Sequence, residues 1–146
     1  MTLGSSIAAV HLAATAAMVG LIWFVQVIHY PLMAAVGDDA FAAYERAHVR
    51  LTTLVVAPIM LIEVAAALAL VLSSGSSRPS VAAWVGLGLL LVIWVATATC
   101  SVPMHARLEA GFDPQAHAFL VRTNWIRTIG WTLRLAVALV WLRPST

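Results

Sequence analysis

Four stretches of this chain, about 7–29, 50–72, 81–103 and 124–142, each approach the roughly 20 apolar residues that a helix needs to cross a bilayer core. Almost every polar side chain falls at one end of them. Gln26, His29 and Tyr30 end the first stretch, and Glu45, His48 and Arg50 lead into the second. Ser101, His105, Arg107 and Glu109 end the third, and Asn124, Trp125 and Arg127 open the fourth. In a chain that crosses back and forth, those four ends share one side of the membrane. Residues scattered over a hundred positions are thereby expected at one depth.

Composition supports a lipid solvent. The chain is 62% apolar and 10% charged, with a mean hydropathy of +0.97. A soluble domain carries about 25% charged residues to cover its surface. All eight basic residues are Arg, permanently charged and suited to bidentate anion contacts. A net charge of +2 is too small to argue for nucleic acid. Cys100 is alone, so neither a disulfide within the chain nor a cysteine-based zinc site is expected. The first apolar run is long and shows no convincing cleavage site, which reads as a retained helix rather than a signal peptide.

The connections extend the helices. Pro31 is expected to stop the first, and Asp38 to cap a helix running from Asp39 through His48 into the second span. Asp113-Pro114 is an N-cap followed by Pro at the first helical position, opening a helix toward the fourth. Pro58 is expected to kink the second helix. Pro103 and Gly111 bracket the exit of the third, residues 73–79 form a Ser-rich turn, and Pro144 ends the fourth. The expectation is one domain, residues 1–146, built as an all-α integral-membrane antiparallel four-helix bundle. On the polar side lie Arg46, Arg50, Arg107, Arg122 and Arg127, against Arg78 and Arg143 opposite. The positive-inside rule then puts the polar side in the cytoplasm of a bacterial inner membrane and the termini outside.

Helical spacing gives each span one polar stripe. These are Trp23, Gln26 and Tyr30 with His29 beside them; Glu45, His48, Thr52, Ile59 and Glu63; Trp94, Thr97, Ser101, His105 and Glu109; and Asn124, Arg127, Trp131 and Arg134. Lipid cannot solvate such stripes, so they face one another or a wet cavity. Hydrogen bonding alone would call for a few Ser, Thr or Asn, not three His, three Glu and two Arg. Glu63 and Arg134 are deeper and are expected to pair, either to fix helix register or to take part in catalysis. His11, at a similar depth, is expected as a lone hydrogen-bonding histidine or a second partner for Glu63. It is eighteen residues from His29, hence roughly 27 Å away. Trp84, Trp125 and Trp141 read as interface anchors, while Trp23, Trp94 and Trp131 line a pocket or pack the helices.

Three chemistries fit the cluster. Glu45-Arg46-Ala47-His48 is a Glu-x-x-His pair on one helix face, the spacing used in metal-binding bundles. His29, Glu45, His48 and His105, with Glu109 in reserve, suit Fe, Mn, Zn or Cu. The second chemistry is metal-free acid–base catalysis, an isomerase, cyclase or cofactor-independent oxygenase. There the histidines exchange protons, Tyr30 assists, and Arg50, Asn124 and Arg127 hold an anionic or enolate oxygen. The third class is non-enzymatic: haem held between His29 and His105, or transport.

The run Gly20-Leu21-Ile22-Trp23-Phe24-Val25-Gln26-Val27-Ile28-His29-Tyr30-Pro31, followed by Phe41, Tyr44, Glu45 and His48, resembles a group of small four-span bacterial membrane proteins. So do Val102-Pro103-Met104-His105-Ala106-Arg107-Leu108 and Thr123-Asn124-Trp125-Ile126-Arg127-Thr128. The layout is also similar to anthrone-oxygenase-like membrane proteins, with four spans, a Pro closing the first and an Arg in the last. That resemblance implies oxidation of an aromatic, lipophilic molecule and carries no residue roles. The expectation is therefore a membrane-embedded, metal-assisted oxidoreductase acting on a lipophilic small molecule. The bilayer is its solvent, and its Leu- and Val-rich surfaces are compatible with a homo-oligomer.

Overall fold

The computed structural model describes residues 3–72 and 81–140. The expected turn at 73–79, with Arg78, and the segment carrying Trp141, Arg143 and Pro144 lie outside the described residues. The described residues form four helical rods and no strand. Helix α1 runs Leu3–Phe24, passes through a wider π-helical turn at Val25–His29, and ends in Tyr30–Met33. Helix α2 is Asp38–Leu72, unbroken through Pro58. Helix α3 runs Val81–Ala96, widens at Thr97–Ser101 and ends in Val102–Leu108. Helix α4 is Pro114–Val140. Cross-helix bonds at positions 15–63 and 29–44, at 11–134 and 26–124, and at 86–134 and 101–127 fix the alternating direction of the rods. The fold is thus an all-α antiparallel four-helix bundle of the integral-membrane type.

The solvent preference of the side chains is inverted. Leu32, Leu54, Leu61 and Leu91 are each more than half exposed, while Glu45, Glu63, Asn124 and Arg134 are buried. Lipid accepts the first set, and the second must be satisfied inside. Three of the helices are long and apolar enough to cross a membrane. The fourth, with 27 described residues, is also long enough at about 40 Å. Its composition falls short of the expected fourth apolar span because Arg122, Asn124, Arg127 and Arg134 dilute it. Three of those four face inward, so the helix completes the bundle by its polar core rather than by its apolarity.

Pro31 does not stop the first helix. It sits near the start of the terminal segment, two residues past a π turn, and Pro103 has the same relation to the π turn of α3. A proline ring clashes with the carbonyl four residues back and removes one backbone donor. The widened turn just before it relaxes that clash and lets each helix continue. It also keeps residues four apart on one face. On a regular helix each four-residue step drifts by about 40°, yet Met18, Ile22, Gln26 and Tyr30 are all buried. Thr97 and Thr99 bond back to the carbonyls of Ile93 and Val95, each at 2.8 Å, so neither threonine hydroxyl needs water.

The polar end is set by two helix starts. α2 begins at Asp38 itself, with Gly37 before it, so Asp38 and Asp39 occupy the first turn, where carboxylates favour the helix dipole. Asp113 caps α4 as expected: its Oδ1 accepts from the backbone N–H of Gln115 at 2.9 Å and Ala116 at 3.0 Å. Those amides, with Arg107 beside them, hold its carboxyl below the usual range. Gly111, at φ 146°, makes the reversal between α3 and α4 in backbone space that favours glycine.

In ring order the helices run α2, α1, α4, α3. α1 packs closely on α2 and α4, and α3 on α4, whereas α2 and α3 approach each other least. Gly130 is what brings α4 against α3, since a Cβ there would lie 2.9 Å from Cγ1 of buried Ile93. Gly130→Ala is expected to cost about 1–3 kcal/mol through overpacking, read as a lower unfolding midpoint in detergent. Gly20→Ala, which meets nothing within 4 Å, serves as the neutral control.

Candidate functional site

Two polar centres occupy the bundle, at different depths. The deeper one joins all four helices. Glu63 Oε1 accepts from Thr15 Oγ1 and from Arg134 Nε, both at 2.9 Å, and Glu63 Oε2 accepts from Trp131 Nε1 at 3.0 Å. Arg134 also donates to the carbonyl of Gly86. The expected Glu63–Arg134 pair is present. His11 is partner to the arginine and not to the carboxylate, since its Nε2 lies 3.1 Å from Arg134 Nη2. A guanidinium only donates, so His11 Nε2 accepts and its proton sits on Nδ1. Every oxygen of Glu63 is satisfied, which makes this centre a lock on helix register.

The second centre lies toward the polar end. Glu45, wholly buried on α2, accepts from His105 of α3, with Oε1 2.5 Å from Nδ1. The other nitrogen of His105 is 3.2 Å from the Tyr30 hydroxyl of α1. His48, one turn beyond Glu45, packs its ring against His105 at 5.2 Å between centroids and against His29 at 4.4 Å. Its Nδ1 is 3.1 Å from Thr52 Oγ1, which leaves Nε2 as its free ligand atom. One ligand atom each from Glu45, His48 and His105 lie within 4.8 Å of one another. Glu45 Oε2 is buried with no hydrogen-bond partner. Two imidazoles and a carboxylate with a spare oxygen form a donor set of the kind a first-row cation takes.

The remaining expected residues divide. Tyr30 is buried in the centre, and Arg127 is buried beside it, with Nη1 2.9 Å from Ser101 Oγ. Asn124 is one step removed: its Nδ2 donates to Gln26 Oε1 at 2.8 Å, which holds α4 to α1. His29 stacks on His48 and reaches Tyr44 at 3.5 Å, but stands outside the three-residue ligand group. Glu109 lines the adjoining cavity without joining that group. Arg50 is exposed on α2, because two residues past His48 is about 200° around the helix, which turns it away from the centre. His48 packs on both His29 and His105. His117 was not foreseen. Its Nε2 is 2.8 Å from the Tyr30 carbonyl at the end of α1, which fixes that end against α4. Its place one turn past the Asp113 cap was the available signal.

Beside the centre is a cavity of about 530 Å³, in the range of small-molecule sites. It fills the gap left where α2 and α3 diverge. His48, His105 and Arg127 give one end its polarity, while Val56, Met60 and Trp94 line its apolar wall. Leu61 and Val102, also in its lining, are more than half exposed on the outer surface. The cavity therefore communicates with the lipid side. Of the expected tryptophans Trp94 lines it, whereas Trp131 serves Glu63, and Trp23 donates to Thr132 at 3.1 Å.

No protein-family model matches the chain, and no curated protein or solved structure matches it.

Proposed function

We propose that Glu45, His48 and His105 hold one transition-metal ion at the head of the lipid-facing cavity, and that the protein is a membrane-embedded oxidoreductase acting on a lipophilic molecule. The observation that carries this reading is the convergence of two histidines and one carboxylate, from two helices, at the mouth of an apolar cavity. Two His and one carboxylate with open positions is the arrangement typical of non-haem Fe(II) oxygenases, and iron is the metal we favour over Mn, Zn or Cu. The metal would supply activation of dioxygen. The balance that needs no further reductant is CH₂ + O₂ → C=O + H₂O, in keeping with the oxidation that the resemblance to anthrone-oxygenase-like proteins implies. The protein's own part is to admit the substrate from the bilayer, hold it beside the ligand group and exclude water. The site faces the cytoplasm of a bacterial inner membrane, on the Arg excess around it.

Cobalt substitution tests the ligand set. Co²⁺ added to chelator-treated protein is expected to give visible d–d absorption in wild type and in His29→Ala, and none in His48→Ala. Equal absorption in all three would move the site elsewhere. A metal-free reading has its own support in the continuous Glu45–His105–Tyr30 chain, which is built like an acid–base relay. That reading predicts turnover that survives chelation and falls in Tyr30→Phe.

A further inference from the structure

Arg127 is a permanent cation, nine-tenths buried within a membrane bundle, and it forms no ion pair among the described residues. Glu45 is committed to His105 and Glu63 to Arg134. Arg127 has a neutral serine hydroxyl at 2.9 Å, the neutral Tyr30 hydroxyl in hydrogen-bonding contact and the face of Trp131 at 5.5 Å, and its Nε is buried with no partner. An unpaired charge in such surroundings is strongly disfavoured. The deeper centre shows how this bundle normally treats an arginine: a carboxylate, a carbonyl and an imidazole all turned toward it. Arg127 differs in one further respect, for it lines the cavity. We infer that the missing partner is the ligand, and that the cavity takes an amphiphilic monoanion. Its single oxyanion, a carboxylate or a phenolate, sits on Arg127 with Ser101 and Tyr30 beside it. Its apolar body runs along Val56, Met60 and Trp94 and leaves between α2 and α3. This inference rests on the reading of the cavity as the substrate site but not on the metal.

A single guanidinium beside Ser101 and Tyr30 argues against a phosphomonoester, which carries close to two charges on three terminal oxygens. The apolar wall argues against a small hydrophilic anion. The exposed flanks at Leu61 and Val102 supply the route: the ligand arrives dissolved in the bilayer and keeps its tail in apolar surroundings throughout.

The test is equilibrium binding to chelator-treated, full-length protein in nanodiscs, with empty nanodiscs subtracted. Three probes share an apolar chain: decanoate, decanol and an alkyl nitrophenolate. Wild type is expected to bind at least one anion about 10-fold or more tightly than decanol, the scale of a charge-assisted contact. The preferred anion identifies carboxylate or phenolate. Arg127→Gln is expected to abolish the preference while leaving decanol binding unchanged, and Arg127→Lys to keep part of it. If Arg127→Gln fails to fold, Met60→Trp, which fills the apolar wall, should weaken all three probes in a folded protein. Equal affinity of acid and alcohol in wild type, an anion preference that persists in Arg127→Gln, or tight binding of all three to Met60→Trp overturns the inference. Metal content of Arg127→Gln is read in parallel, so loss of anion binding with metal retained separates the two proposals.

Discussion

Glu63→Gln is expected to destabilise the bundle by about 3–5 kcal/mol, the cost of leaving a buried charge without its counter-ion. Three donors converge on the Glu63 carboxylate, from Thr15, Trp131 and Arg134, and an amide can accept at only one of its two ends. The substitution therefore turns an N–H toward another donor and strands Arg134, which is 1% exposed and too enclosed to reach water. Ordinary hydrogen bonds between membrane helices contribute only about 0.6 kcal/mol on average, so the size of the effect identifies charge as its source. The measurement is the unfolding midpoint in mixed micelles. Pairing Glu63→Gln with Arg134→Met should recover most of the loss, because both charges are then gone. A loss below about 1 kcal/mol would mean that the centre is hydrated. Metal content should not change, since Glu63 lies eighteen residues, roughly 27 Å, along α2 from Glu45.

His105→Ala is expected to lower metal affinity by about 100-fold or more. Loss of an outer partner of a metal ligand already costs about 10–100-fold, and His105 is both a proposed ligand and the link from Glu45 to Tyr30. Its removal also leaves Glu45 buried with neither oxygen satisfied, so stability should fall with it. Reading affinity separately from stability is therefore essential, by competition with a calibrated chelator at a temperature well below unfolding. His29→Ala provides the contrast. His29 stacks on His48 without joining the ligand group, so its loss should change affinity by less than about 10–100-fold, as for an outer partner. Equal losses in the two variants would place His29 among the ligands.

Much of this site was legible because the relevant signal is periodic. Trp94, Thr97, Ser101, His105 and Glu109 form a stripe of helical spacing, and all five line the cavity. Glu45 and His48 fall on one face by the same rule, and the Glu63–Arg134 pair follows from the cost of either alone. What stayed hidden depends on how the helices twist and pair. Residues four apart drift around a regular helix, so four-residue steps leading into Pro31 and Pro103 were the trace of the two π turns, and reading each proline as a terminator concealed them. Arg50 belongs to the polar end by depth but not by angle, and depth alone placed it wrongly. The cavity arises because α2 and α3 diverge while every other neighbouring pair packs closely, and no single helix's pattern encodes that. The unpaired state of Arg127 is likewise visible only once the partners of Glu45 and Glu63 are known.

The central claim is that Glu45, His48 and His105 bind a metal ion, and metal analysis of the purified protein tests it most directly. Wild-type protein, prepared without chelator and without an affinity metal, is predicted to carry about one equivalent of a first-row transition metal per chain, the load expected of a three-ligand site. Glu45→Gln, His48→Ala and His105→Ala should each lose it, and His29→Ala should keep it. Wild-type protein that is folded and yet holds no transition metal, even after anaerobic loading with Fe²⁺, Mn²⁺ and Zn²⁺ in turn, would contradict the account.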